Sequence, residues 1–379
     1  METKTYVDKL REEYIAMHTM SQELDLLIGE NNIEKRDITG YHGREIFELL
    51  QNADDAYQKS IETGCKPEQE LQVDISYKHN VLTVSNTGTV FDASGIKAIV
   101  QGNNSTKSGK YIGNKGTGFR SVLNWADCVR IYSGEFAIEF SKEIAQDIFD
   151  QIKQSPQIQK QIDTQKKKGI SEELHIPMLA VPLNIPDAKY DKTKTTIEIL
   201  VDPEKQKDDF SVEKQLAEID LRILLFLPNI SQICIETDEN CTICRRKIIP
   251  TGFQTEINCK DIILKKIVDE NVETNEEFYL FEKEIKDQIW ESKETEKKDV
   301  RLAIAVPSDS AEFDCRHLYC YFPILDVEAP FNCVMHATYM LGDQRNNLSP
   351  EPANKKIVKE QLLFLTEVAE TLVANRKYE

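Results

Sequence analysis

A chain of 379 residues with 40% apolar and 30% charged residues has an ordinary globular balance, which excludes fibrous and wholly disordered classes. Acids exceed bases by 65 to 47, a formal charge of −18, and such a surface repels phosphate backbones and anionic lipid, so neither direct nucleic-acid binding nor membrane binding is expected. Apolar runs such as residues 223–227 fall far short of the ~20 residues a membrane span requires, and no signal peptide opens the sequence, so a soluble cytoplasmic protein is expected.

In chain order, the first forty residues predict one or two helices, with Tyr6, Leu10, Tyr14 and Met17 at helical spacing. Residues 43–61 predict the strongest helix, striped by Ile46, Leu50, Ala53 and Tyr57 and ended by Gly64. A hairpin follows, Val73, Ile75 and Tyr77 turning at His79 and Asn80 into residues 81–84. Residues 102–115 are rich in Gly, Asn, Ser and Lys and predict a mobile loop. A second hairpin pairs Val129, Ile131 and Ser133 with Phe136, Ile138 and Phe140. The Gln- and Lys-rich residues 143–169 read as a helical surface insertion before a strand at 195–200. A charged linker at 203–209 marks a boundary near residue 205, so the expected domains are 1–205 and 206–379. The second is expected to hold a long helix, then strands at 278–281, 300–306 and 318–322. An amphipathic helix over 354–374, carrying Ile357, Leu362, Leu363 and Val368, completes it.

Nine cysteines at irregular spacing fit free thiols in a reducing compartment. The one close pair, Cys241 and Cys244, is half of a zinc site at most; Cys315, His317 and Cys320 are the only nearby residues that could complete tetrahedral ligation.

On the first strong helix Glu48, Asn52 and Asp55 share one face at spacings of four and three, which taken alone describes a solvated polar face. Downstream, Asn86-Thr87-Gly88 ends a strand, and Gly113-Asn114-Lys115-Gly116-Thr117-Gly118-Phe119 runs from a loop into a helical stretch. A glycine loop entering a helix offers free backbone N–H groups and the positive helix end to a phosphate chain. The spacing is neither a P-loop nor a Rossmann fingerprint.

Residues 48–56, ELLQNADDA, resemble the N-box of the GHKL ATPases, the group of gyrase B subunits, ninety-kilodalton heat-shock chaperones, histidine kinases and MutL. Asn86-Thr87-Gly88 stands where their first glycine box would be, residues 113–119 where the second would be, and Thr195-Thr196-Ile197 resembles their last, Gly-Thr box. The wording of ELLQNADDA, IGNKGTGFRSV and YCYFPI is most similar to sacsin-type, chaperone-like ATP-binding modules and their bacterial relatives.

The resemblance implies an α/β class: a Bergerat-fold two-layer sandwich, a mixed sheet with helices on one face, followed by a second α/β domain resembling a chaperone middle domain. It implies an Mg²⁺-dependent, slowly hydrolysing ATPase in which nucleotide state controls lid closure and association with a second copy or a protein partner. Such modules also point to bacterial defence systems as a setting. Carried onto this sequence, Glu48 is the base that orients the attacking water and Asn52 the Mg²⁺ ligand. Asp55 supports the pocket, while Gly88, Gly113, Gly116, Thr117, Gly118 and Phe119 let the backbone approach the nucleotide. Thr195 and Thr196 of the last box join the nucleotide-binding set. The loop 102–115 is the lid, with Lys107 and Lys115 toward phosphate, and Arg345 of the second domain reaches the γ-phosphate.

The sequence departs from the family pattern at Asn86, where an aspartate would accept a hydrogen bond from the adenine amino group. The amide oxygen accepts the same bond without charge, or the amide reverses and donates to guanine O6. Val90 and Lys194 replace two further glycines of the boxes. A nucleotide-gated interaction module with incidental turnover is the rival reading; a histidine kinase is disfavoured because neither His18 nor His42 lies in a phosphoacceptor-type helix.

Overall fold

The computed structural model describes residues 3–21, 24–40, 42–64, 70–102, 118–167, 174–206, 209–286, 299–309, 317–329, 331–342 and 345–375. The chain forms two compact units that divide chiefly between Glu218 and Ile219, with residues 70–72, at the start of the first strand, grouped with the second unit. Among the described residues, no helix is long and apolar enough to cross a membrane.

The first unit opens with helices α1 (Thr3–Ser21), α2 (Asp25–Gly40) and α3 (Glu45–Glu62). Strands β1 (Leu71–Lys78) and β2 (Val81–Asn86) form the expected hairpin. Its two-residue turn places His79 at φ 51° and Asn80 at φ 60°, the left-handed pair that matches the natural twist of the strands. Helix α4 (Ala93–Gln101) follows, then a 3-10 segment (Gly118–Asn124), β3 (Ala126–Ser133), β4 (Phe136–Ser141), α5 (Lys142–Ile152), α6 (Pro156–Lys167), β5 (Leu183–Asn184), β6 (Thr195–Val201) and α7 (Val212–Ala217). The strands lie in the order β1-β2-β6-β3-β4-β5. Each of β1, β2, β3 and β6 buries alternate residues only, so one face of the sheet is covered and two layers result. Every described pairing among these strands is antiparallel, and the described parallel pair, further along the chain, makes the sheet as a whole mixed, as expected.

The residues expected to be a surface insertion instead build a second core. Ile148, Phe149, Ile152, Ile158 and Ile162 of α5 and α6 pack with Tyr14, Leu24, Leu27, Ile176 and Ala180. Full burial of such side chains stabilises by about 1.5–3 kcal/mol each, which outweighs the polar composition of the exposed positions. In α1 the buried stripe is Val7, Leu10, Tyr14 and His18, while Met17 faces solvent.

The expected boundary near residue 205 is also displaced, because the linker is stitched to the first unit. Lys205 Nζ donates to the carbonyls of Leu123 and Ala126 at 3.3 and 2.9 Å and to Asp127 at 2.8 Å. Burial holds its ammonium below the ordinary lysine value. Trp125 Nε1 donates to the Phe210 carbonyl at 3.0 Å, and Gln215 reaches Glu45 at the start of α3. The long helix expected next is only the six residues of α7 and a 3-10 turn (Leu221–Leu225), which Asp220 caps through the Arg222 N–H at 2.9 Å.

The second unit contains β7 (Ile230–Thr237), β8 (Cys241–Ile249), β9 (Asn258–Val268), β10 (Asn271–Ile285), β11 (Val300–Pro307), β12 (His317–Cys320), β13 (Phe322–Glu328), β14 (Val334–Ala337) and α8 (Pro352–Ala374). The strand order is β13-β12-β14-β11-β10-β9-β8-β7, with β12 and β14 the one parallel pair among those described. Helix α8 buries Ile357, Gln361, Phe364, Val368 and Leu372, a strict three-and-four repeat; Leu362 and Leu363, assigned to the stripe from sequence, are exposed. The chain is thus α/β, with helices packed on extensive sheet.

Candidate functional site

Helix α3 is the centre of the first unit. Its apolar stripe of Ile46, Leu50, Ala53 and Tyr57 is buried as expected, but the opposite face is not solvated. Glu45, Glu48, Gln51, Asp54 and Asp55 are each 3% exposed or less, and Asn52 is partly exposed. Burying carboxylates costs free energy unless partners compensate, so a buried acidic face is not ordinary helix amphipathicity.

For Glu45 the compensation is explicit. Its carboxylate accepts from the Gly43 N–H at 2.9 Å, Asn124 Nδ2 at 2.8 Å and Gln215 Nε2 at 2.6 Å, and lies 3.0 Å from His42 Nδ1. It also sits in the first turn, where the helix dipole favours negative charge. Glu45 therefore anchors the N-terminus of α3, one turn before Glu48.

Glu48 faces the segment that enters the 3-10 turn. A Cβ added at Gly118 would stand 1.9 Å from Glu48 Oε2 and 2.7 Å from its Cδ, so only glycine leaves room for the carboxylate there. Asn52 and Asp55 continue the same face along the helix. One turn further on, a Cβ at Gly88 would lie 2.8 Å from Ala56 Cβ and 2.9 Å from the Tyr57 nitrogen. The Thr89 N–H donates to the Ala56 carbonyl at 3.0 Å, and the Ser60 and Thr89 hydroxyls pair at 2.6 Å. Both glycine segments thus approach α3 more closely than any side chain would permit.

On the sheet, the strand register aligns Asn86 with Thr195 and Thr195 with Ser133. All three share the covered face with Leu82, Val84, Val129, Ile131, Ile197 and Ile199, and form a polar row at the end of an otherwise apolar surface. Ser133 and Thr195 hydroxyls lie 2.6 Å apart, and Ser133 Oγ accepts the Phe91 N–H at 2.9 Å. Asn86 Oδ1 accepts the Gly88 N–H at 3.0 Å. Thr196, assigned to the nucleotide with Thr195, is corrected: one step along a strand reverses the face, and its hydroxyl pairs with Ser85 at 2.8 Å.

Helix α4 begins beside this row. Asp92 caps it, accepting from the Gly95 N–H at 2.8 Å and Ser94 Oγ at 2.5 Å. Burial opposes ionisation of that carboxyl, but these bonds and Lys59 hold it below the usual carboxylate range. The helix ends at Gly102. Arg120, two residues beyond Gly118, donates to the Ile99 carbonyl at 3.4 Å and lies 4.0 Å from Glu34 of α2.

The structure therefore brings Glu48, Asn52, Asp55, Gly88 and Gly118 onto one helix and its contacts, with Asn86 and Thr195 in the sheet row beside Gly88. Phe119 lies in the 3-10 turn. Lys107, Gly113, Lys115, Gly116 and Thr117 lie outside the described residues. Arg345 belongs to the second unit, at φ 56° in a tight loop closed by its N–H to the Gly342 carbonyl at 2.9 Å and the Gly342 N–H to the Asn347 carbonyl at 3.0 Å. Ser133 and Glu45 were missed from sequence. Ser133 had a signal, since it occupies the apolar parity of its strand after Val129 and Ile131, as Asn86 and Thr195 do in theirs.

The zinc alternative to free thiols finds no geometric support among the described residues. Cys241 is exposed and Cys244 is 1% exposed, three positions apart on β8 and so on opposite faces. His317 and Cys320 have the same spacing on β12, and Cys315 lies outside the described residues. No group of three or more His, Cys, Asp or Glu side chains that could hold a metal occurs among the described residues.

No protein-family model and no curated protein matches the chain.

Proposed function

We propose that the first unit is a Bergerat-type module that binds ATP with Mg²⁺ between α3 and the sheet and hydrolyses it slowly. The observation that carries this reading is the convergence of two glycine segments on the buried acidic face of α3, at Glu48 through Gly118 and at Ala56 through Gly88. The described residues of four segments that resemble GHKL boxes, Gly118 and Phe119 of the second glycine box among them, lie along one helix, its contacts and one sheet row although they are scattered from residue 48 to residue 197.

The donors fit the expected group. Oxygen ligands suit Mg²⁺, and a single amide oxygen from Asn52 together with phosphates and waters is how such a cation is held without an all-protein cage. Bound Mg²⁺-nucleotide would supply charge neutralisation on the phosphates. Glu48 would orient water and accept its proton, Asp55 and the Asn86–Thr195 row would hold the base side, and Gly118 would keep the Glu48 carboxylate in place. Arg345 is proposed as the residue that senses the γ-phosphate, on the resemblance alone. Nucleotide state then controls association with a second copy or a protein partner, a chaperone-like role compatible with a defence setting.

A ligand selective for the folded state must stabilise it. Mg²⁺-ADP and Mg²⁺-ATP at millimolar concentration are expected to raise the melting temperature; an unmoved transition with both would refute the site. The rival, a nucleotide-gated interaction module, predicts the same stabilisation with no phosphate release above background.

A further inference from the structure

Asn86 ends β2 with 6% of its surface exposed, on the covered face of the sheet. Its Oδ1 accepts the Gly88 N–H at 3.0 Å, in the Asx turn that carries the chain from the strand to Thr89, whose N–H donates to the Ala56 carbonyl of α3. Because a backbone N–H can only donate, the atom facing it must be the amide oxygen, and reversal of the amide would set two donors against each other. The amide orientation is therefore fixed by chemistry, and the other arm of the side chain is the NH₂ group. Among the described residues nothing accepts a hydrogen bond from Asn86 Nδ2. A carboxylate at this position would keep an acceptor on both arms; the amide keeps one for Gly88 and presents a donor with the other. The neighbouring Thr195 hydroxyl can donate or accept, as its pairing with Ser133 allows either direction.

We propose, resting on the nucleotide reading above, that Asn86 reads the six-position of a purine with a hydrogen-bond donor, so the module accepts 6-oxopurine nucleotides rather than selecting adenine. The carbonyl oxygen of hypoxanthine or guanine is a matched acceptor for Nδ2. The 6-amino group of adenine is a donor there, so adenine is accommodated only by turning its N1 acceptor toward the amide. An unmatched donor pair at a nearly buried site removes the usual adenine preference.

ADP and IDP differ only in the C6 group and the N1 proton that accompanies it, which makes them the probes. Calorimetric titration of each, with Mg²⁺, into the full chain is expected to give an IDP affinity within tenfold of ADP or tighter. Asn86→Asp keeps the bond from Gly88 and restores an acceptor, so the ADP-to-IDP affinity ratio should rise at least tenfold. A parent chain that binds ADP more than tenfold tighter than IDP overturns the proposal, as does an Asn86→Asp chain with an unchanged ratio. Where Asn86→Asp does not fold, the parental ratio alone decides. Failure of both nucleotides to bind the parent would instead refute the nucleotide site itself, a distinguishable result.

Discussion

Gly118 and Glu48 occupy one another's space so closely that a single methyl at Gly118 would fall 1.9 Å from Glu48 Oε2. The contact lies at the far end of a flexible side chain, and Gly118 has no left-handed backbone requirement, so the pair constrains where the carboxylate points more than whether the unit folds. Gly118→Ala is expected to leave the melting temperature within a few degrees of the parent. Misplacing a catalytic group by about 1 Å costs on the order of 10²-fold in rate, so ATP turnover should fall by roughly that factor while ADP affinity persists. Phosphate release and calorimetry on this one variant check both statements.

Arg345 holds a left-handed backbone conformation, φ 56°, in its loop, a conformation that costs a non-glycine residue energy and is retained where the surroundings impose it. Removal of its guanidinium should slow turnover with ADP affinity nearly unchanged, because ADP has no γ-phosphate. Arg345→Ala hydrolysing ATP at the parental rate would return the residue to a purely local role.

The second unit carries its own acid-sensitive contact. Glu282 of β10, 11% exposed, accepts from Lys260 at 2.5 Å and Arg301 at 2.6 Å. Burial opposes its ionisation, but Arg301 and Lys260 together hold the carboxyl below its ordinary value of 4.5. A carboxyl depressed in the folded state contributes stability that is fully present above the unfolded value and is lost as pH falls through the folded one. Glu282→Gln should therefore destabilise at neutral pH by about 1–3 kcal/mol, the usual worth of hydrogen bonds to a charged group. Denaturant midpoints of parent and variant are expected to converge only as pH falls from 4.5 through the depressed folded-state value, below which both carry a neutral side chain.

The sequence made α3 legible because Ile46, Leu50, Ala53 and Tyr57 repeat at helical spacing, and the β1–β2 hairpin because His79 and Asn80 tolerate left-handed φ. Helical spacing alone left the face of Glu48 and Asp55 as an ordinary solvated surface. Glu48 instead meets Gly118, seventy residues away, and a single sequence carries no local trace of a contact at that range. The polar row was half legible: Asn86, Thr195 and Ser133 each interrupt an apolar alternation, but only the register puts them side by side. Thr196 falls outside the row for the same reason in reverse, because adjacent residues on a strand face opposite ways. The domain boundary was displaced because Lys205 looks like linker composition and Gln215 like the helix of a new domain, while their hydrogen bonds tie them to the first unit.

Glu48 is the residue on which the account turns. Glu48→Gln keeps size and hydrogen-bonding reach yet cannot take a proton from water, and Asn52→Ala, the companion control, removes a metal ligand and should weaken Mg²⁺-ATP binding itself. The decisive measurement is steady-state phosphate release at saturating Mg²⁺-ATP by parent and Glu48→Gln. The expected result is a fall of about 10² to 10⁴-fold, the usual worth of a general base, with nucleotide still bound. A Glu48→Gln protein that releases phosphate at the parental rate would contradict the account.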